Sequence, residues 1–288
     1  MRSRKALPLF YLVLLPLVWM GTASGHGRKK SSSIPFMSLT FKRTVKNQIV
    51  PVPESSVPNS LHHVLLGVDG MLYASSFITN EVYRAVVDER GAWQWFRVVS
   101  KGTGVDGPTG LAVDKDLRLY VASFGTDQIL RYDTVTGSLI DIFINDEEGK
   151  LDCPEGLLLL EDRLLVASFL NDRVVSYRLD GSFQEIFSAG WYMDGPQVML
   201  FHPKTNSIFI SSYHRDKIVK VDATTGKKQG EFGGKELSRP VGLAAAPDDT
   251  VLCSSHKSNE ILRYNASTGH GLWAPTGIAM SSASGDDI

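Results

Sequence analysis

Cysteine is almost absent from this chain: 288 residues hold 2. That count excludes a fold stapled by several disulfides, and Cys153 and Cys253, which lie 100 residues apart, are not expected to bridge. An excess of one charge is missing too. With 30 Lys and Arg against 31 Asp and Glu, the formal net charge is −1, so neither a basic nucleic-acid binder nor a disordered acidic tail is expected. Between residues 50 and 280 no stretch reads as an amphipathic helix, and none is an apolar run of the roughly 20 residues that a bilayer requires. Paired Cys-x-x-Cys, zinc-protease and nucleophile-elbow motifs are lacking. Gly102-Thr-Gly-Val-Asp-Gly107 spells Gly-x-Gly-x-x-Gly, but a strand pattern follows it rather than the helix whose N-terminus would hold a phosphate.

The one strong apolar run is at the N-terminus. Met1 to Lys5 carries Arg2, Arg4 and Lys5, Ala6 to Met20 is nearly pure apolar, and Gly21 to Gly25 is small-residue rich. This is the three-part pattern of a secretory signal peptide, residues 1–25. Its removal would shift the net charge from −1 to −4. The expected product is secreted or in the secretory-pathway lumen, with no membrane attachment after cleavage. Residues 26–50 read as a partly disordered segment, 51–281 as one repeat domain and 282–288 as a polar tail.

What is abundant is self-similarity. A Ser followed by an aromatic or His recurs as Ser76-Phe77, Ser123-Phe124, Ser168-Phe169, Ser212-Tyr213 and Ser255-His256, at steps of 47, 45, 44 and 43 residues. Pro-x-Gly recurs as Pro108/Gly110, Pro154/Gly156, Pro240/Gly242 and Pro275/Gly277, with Pro196-Gln197-Val198 a degenerate copy. Each copy reads as four short strands separated by Asx, Ser-Asn and Thr-Gly turns. Four strands at this period predict an all-β propeller of four-stranded blades. Five copies run from Leu61 to Trp273. Residues 274–280 then supply the first strand of a sixth, and residues 36–52 are available as its outer strands, so the expectation is six blades with a composite or incomplete last one.

The segment Pro108 to Asp133, with its Pro-x-Gly-Leu-Ala-Val-Asp, Leu-Tyr-Val-Ala and Ile-Leu-Arg-Tyr-Asp elements, resembles NHL repeats. The related six-bladed senescence-marker/gluconolactonase and strictosidine-synthase-like families share this strand logic. The resemblance implies a propeller used either as a binding module or as a metal-dependent lactonase-like hydrolase or lyase, with calcium as the cofactor in the second case.

Candidate site residues follow from propeller geometry, which sends the loop into the first strand and the hairpin between strands two and three to one face. The middle residues of the Pro-x-Gly elements then ring the channel mouth: His62/His63, Thr109, Glu155, Gln197, Val241 and Thr276. The aromatic positions add Phe77, Phe124, Phe169, Tyr213, His214 and His256. Such a mouth is the default place for a small-molecule or protein partner. By the resemblance, Glu155 matches a metal-holding position, and Asp106 and Asp194 could add oxygens to a hard cation. His63 and His256 are the candidate bases. The five Ser-aromatic pairs are expected to be structural, because catalysis needs one activated Ser rather than five equivalent ones. Asn265-Ala-Ser267 is a glycosylation sequon on the opposite face.

Overall fold

The computed structural model describes residues 60–87, 93–145 and 150–272. The signal peptide, residues 26–59, Thr276, the polar tail and the strands expected from 36–52 and 274–280 lie outside those residues. The described chain is all-β apart from one 3-10 turn, Pro203–Thr205, and contains no helix long and apolar enough to cross a membrane.

Among the described residues five sheets follow one another, not six. Blade 1 holds β1 (Leu61–Leu66), β2 (Leu72–Ser76), β3 (Glu81–Val87) and β4 (Trp93–Val99). Blade 2 holds β5 (Pro108–Val113), β6 (Arg118–Ser123), β7 (Gln128–Asp133) and β8 (Leu139–Asn145). Blade 3 holds β9 (Pro154–Leu159), β10 (Arg163–Ser168), β11 (Arg173–Arg178) and β12 (Phe183–Ala189). Blade 4 holds β13 (Pro196–His202), β14 (Ser207–Ser212), β15 (Lys217–Asp222) and β16 (Lys228–Phe232). Blade 5 holds, among the described residues, three strands, β17 (Pro240–Ala245), β18 (Thr250–Ser255) and β19 (Glu260–Asn265). Every pairing is antiparallel between sequence neighbours.

The first strands pack in the order β1, β5, β9, β13, β17, and β17 does not pack against β1 as those neighbours do. The spacing at the end of blade 5 is also unlike the rest. The third strands of blades 1 to 4 end at Val87, Asp133, Arg178 and Asp222, and the next inner strand opens 21, 21, 18 and 18 residues later, at Pro108, Pro154, Pro196 and Pro240. Pro275 follows Asn265 by 10. The Pro-x-Gly at Pro275 thus recurs at a shorter spacing than the four before it.

The hydrophobic cores lie between blades, one at each junction. Leu119 and Val121 of β6 join Tyr73, Val82 and Phe96 of blade 1, while Tyr120 and Ala122, pointing the other way, join Leu157, Leu164 and Val166 of blade 3. Side chains alternate across a strand, so a second strand covered on both faces must be apolar throughout. That explains the unbroken run Leu119 to Ala122. The glycines of Pro-x-Gly have an equally direct cause. A Cβ on Gly110 would stand 2.1 Å from the Glu155 carbonyl oxygen, and one on Gly156 would stand 2.0 Å from that of Gln197. Only glycine lets adjacent inner strands approach this closely.

Candidate functional site

Two sets of bonds fix the mouth face. In blades 2 to 5 the recurring Ser hydroxyl accepts the backbone N–H of the loop before the first strand: Ser123 from Asp106 (2.9 Å), Ser168 from Asp152 (2.8 Å), Ser212 from Asp194 (2.9 Å) and Ser255 from Ser238 (2.9 Å). These hydroxyls are wholly buried. Their repetition is structural: each sews the hairpin to the entry loop, which also places both on one face. The second set joins one blade to the next. Asn80, Asp127, Asp172 and Asp216 hold left-handed backbone at φ 58°, 55°, 54° and 55°, a region that Asn and Asp tolerate best among residues with a side chain. Their side-chain oxygens accept the N–H of Gly107 (2.8 Å), Cys153 (2.7 Å), Gly195 (2.8 Å) and Arg239 (2.6 Å) in the following blade.

Strand register settles which histidine belongs to the channel ring. Leu61 faces Ser76 as Pro108 faces Ser123 and Pro154 faces Ser168. His62 therefore takes the position of Thr109, Glu155, Gln197 and Val241, and His63 the position of the glycine. His63 is buried, its N–H bonded to the Ser75 hydroxyl (3.1 Å), and burial lowers its pKa to about 4. His62 Nε2 stands 3.7 Å from Glu155 Oε2 across Thr109. Burial, with a smaller contribution from His63, lowers the His62 pKa to about 3, and burial pushes Glu155 up to about 8. At neutral pH the pair is a neutral imidazole beside a largely protonated carboxyl. Thr109 donates to the Pro154 carbonyl (2.8 Å), and Gln197 keeps a buried Oε1 with no hydrogen-bond partner among the described residues.

The aromatic positions form a second tier. Phe77 meets His62 and Phe124 with ring centroids 5.6 Å apart in each case. Phe169 lies 6.1 Å from Tyr213 and 5.4 Å from His214, and Tyr213 stacks on His256 at 6.4 Å. Arg239 caps Tyr213. Burial and Arg239 lower the His256 pKa. No hydrogen bond or ring contact joins His256 to His63 among the described residues.

The acidic residues expected around Glu155 do not gather there. The one group of three or more such ligand atoms within 4.8 Å, among the described residues, is Asp127, Asp152 and Cys153, and Asp127 already bonds the Cys153 N–H. Asp106 instead accepts a bond from the Asn80 amide (3.1 Å), and Asp194 serves the blade-4 entry loop through its backbone. Both cysteines are free, and burial raises the Cys153 pKa to about 12. Asn265 Oδ1 accepts the N–H groups of Ser267 (3.0 Å) and Thr268 (2.9 Å) in a turn on the opposite face. The sequence reading missed Asn80 and Gly125. Both depart from what neighbouring copies carry, and a search for departures rather than recurrences finds them.

No protein-family model and no curated protein matches the chain. Among solved structures, it is similar to virginiamycin B lyase from Staphylococcus aureus, solved with quinupristin, at 17% identity and TM-score 0.58, over 74% of this chain and 69% of that one. A chain of the nidogen/laminin complex gives 13% identity and TM-score 0.62 over 74% and 78%. A gluconolactonase from Xanthomonas campestris gives 17% and 0.60 over 74% of each chain. At these identities the likeness shows the β-propeller fold alone, and such scaffolds carry unrelated functions.

Proposed function

We propose that this protein is a secreted binding module that takes a small molecule or a protein partner on its mouth face. The observation that carries the reading is the set of exposed apolar side chains on the mouth-face hairpins, above a buried polar ring. On those hairpins Phe77, Ile78 and Leu170 are exposed at 36%, 57% and 57%, and Trp191, exposed at 76%, stands at the outer rim between Arg215 and Lys228. Lys228 Nζ stands 4.4 Å from the Trp191 ring centre. Exposed aromatics and cations of this kind are the usual anchors of recognition surfaces. The turns of the opposite face expose Val68, Val87 and Leu179, and Trp93 and Phe183 are exposed at the adjoining starts of β4 and β12. Beneath the mouth, His62, Thr109, Glu155 and Gln197 make a floor that is polar but largely uncharged at neutral pH.

The test is peptide-display selection against the immobilised chain, with each selected binder then titrated against two variants. Leu170→Asp should weaken most binders by at least about tenfold, or about 1.4 kcal/mol. Val68→Asp with Leu179→Asp should leave them unchanged. The opposite pattern would move the binding surface to the other face.

The His62–Glu155 pair supports a second reading, a calcium-dependent hydrolase or lyase in which Glu155 ionises to hold the metal. A site with Kd near 10 μM would add about 2.7 kcal/mol of stability at 1 mM calcium, lost in Glu155→Ala. Cleavage after residue 25, a glycan on Asn265, and ring closure by residues 36–52 and 274–280 belong to the same proposal. Intact mass of the secreted product, before and after enzymatic deglycosylation, tests the first two.

A further inference from the structure

The junction of blades 1 and 2 departs from the repeat at two places that meet. After each aromatic of the mouth ring the chain carries Ile78, Gly125, Leu170, His214 and Lys257. Only blade 2 has glycine there. The backbone register is the same in the neighbours: Gly125, Leu170 and His214 donate to Asp106, Asp152 and Asp194 (3.0, 3.1 and 3.2 Å). The glycine leaves a space, and the Asp106 carboxylate takes it, with Oδ2 standing 2.4 Å from where a Cβ on residue 125 would lie.

The second departure is Asn80, where blades 2 to 4 have Asp in the same tie. Its oxygen accepts the Gly107 N–H as the others do, while its amide, which an aspartate would lack, donates to Asp106 Oδ1. Asp106 is thereby oriented, and its Oδ2 has no hydrogen-bond or ion-pair partner among the described residues. Around it is an open pocket of about 270 Å³ lined by Phe77, Ile78, Asn80, Asp106, Phe124 and Gly125. An oriented, unspent carboxylate oxygen beside two phenyl rings complements a cation on an apolar stem, through charge and through the negative faces of the rings.

We infer that this pocket binds an ammonium or guanidinium group carried on an apolar stem. The inference rests on the mouth face being the binding face. Two sources share that chemistry, a free amine and a Lys or Arg side chain of a partner protein. The probes are therefore benzylammonium, its neutral counterpart benzyl alcohol, and a blocked lysine tripeptide, each titrated by NMR into the described domain within the full secreted chain.

Benzylammonium should bind at least about tenfold more tightly than the alcohol, and more weakly at high salt, which screens exposed charge. Binding should be lost in Asp106→Asn, which keeps the shape, and in Gly125→Leu, which fills the space with the residue blade 3 already tolerates. Binding by the tripeptide alone, with the same dependence on both variants, assigns the pocket to a partner's side chain. Equal binding of the alcohol, unchanged binding in both variants, or no binding of any probe at about 20 mM, weaker than a Kd worth about 2.3 kcal/mol, overturns the inference. If it is overturned while selected peptides still depend on Leu170, the wider reading of the face stands.

Discussion

The junction of blades 1 and 2 and that of blades 3 and 4 have one construction and two outcomes. In both, a side-chain oxygen ties the hairpin to a glycine N–H of the next blade, Asn80 to Gly107 and Asp172 to Gly195. In both, a phenyl ring lies on that glycine, Phe77 within 2.8 Å and Phe169 within 2.9 Å of the missing Cβ. The later junction is filled, because His214 packs on Phe169 and also reaches 2.8 Å from the Gly195 position. The earlier is open, because Gly125 stands where His214 would be. What recurs builds the ring, and what departs from recurrence opens a place for a ligand.

The largest expected effect strikes the shared construction. Gly156→Ala sets a methyl against the Gln197 carbonyl at 2.0 Å, where backbone rather than a side-chain tip must yield. Destabilisation of about 3 kcal/mol in urea unfolding is expected. Next are the ties themselves. Asn80→Ala and Asp172→Ala each lose a buried N–H partner and a residue suited to left-handed backbone, at about 1–2 kcal/mol apiece. They should be alike in stability but not in binding, since only Asn80→Ala releases Asp106.

The channel supplies a pH test that separates scaffold from site. His62 and His63 have folded pKa values of about 3 and 4, below the free value of 6.5, so the unfolded chain binds more protons and stability rises from about pH 3 to 6.5. Glu155 is raised from 4.5 to about 8, so the folded chain holds its proton longer and that contribution is lost as pH climbs through 8. Stability should therefore peak near pH 6.5 and fall above it, by no more than about 1.4 kcal/mol per pH unit. Glu155→Gln should remove the fall and leave the acidic limb, as read by thermal melts across the range. The smallest cost in stability, within about 0.5–1 kcal/mol for an exposed loop, is expected for His214→Gly combined with Asp172→Asn. That pair should transplant the open geometry beside Asp194 and add a second benzylammonium site.

The fold was legible because its causes repeat. A Pro-x-Gly forced by a carbonyl at 2 Å and a Ser forced by a buried N–H leave the same letters in copy after copy. The blade count was less legible: Pro275-Thr-Gly277 carries the motif at a spacing that no complete blade uses, and the described residues hold five sheets rather than six. The site was legible only in outline. Sequence spacing brought His62 and Glu155 to one ring, yet it could not show that Asp106 turns away from Glu155 toward Asn80. That turn depends on the absence of one side chain at position 125, which no pattern of shared residues records.

The ties also give the molecule a mechanical direction. Each runs from a hairpin forward to the entry loop of the next blade, so load applied at the C-terminal end meets one tie at a time. Under a pulling force the ring should peel in steps rather than tear as a whole, each step freeing one repeat of about 44 residues, or about 150 Å of chain.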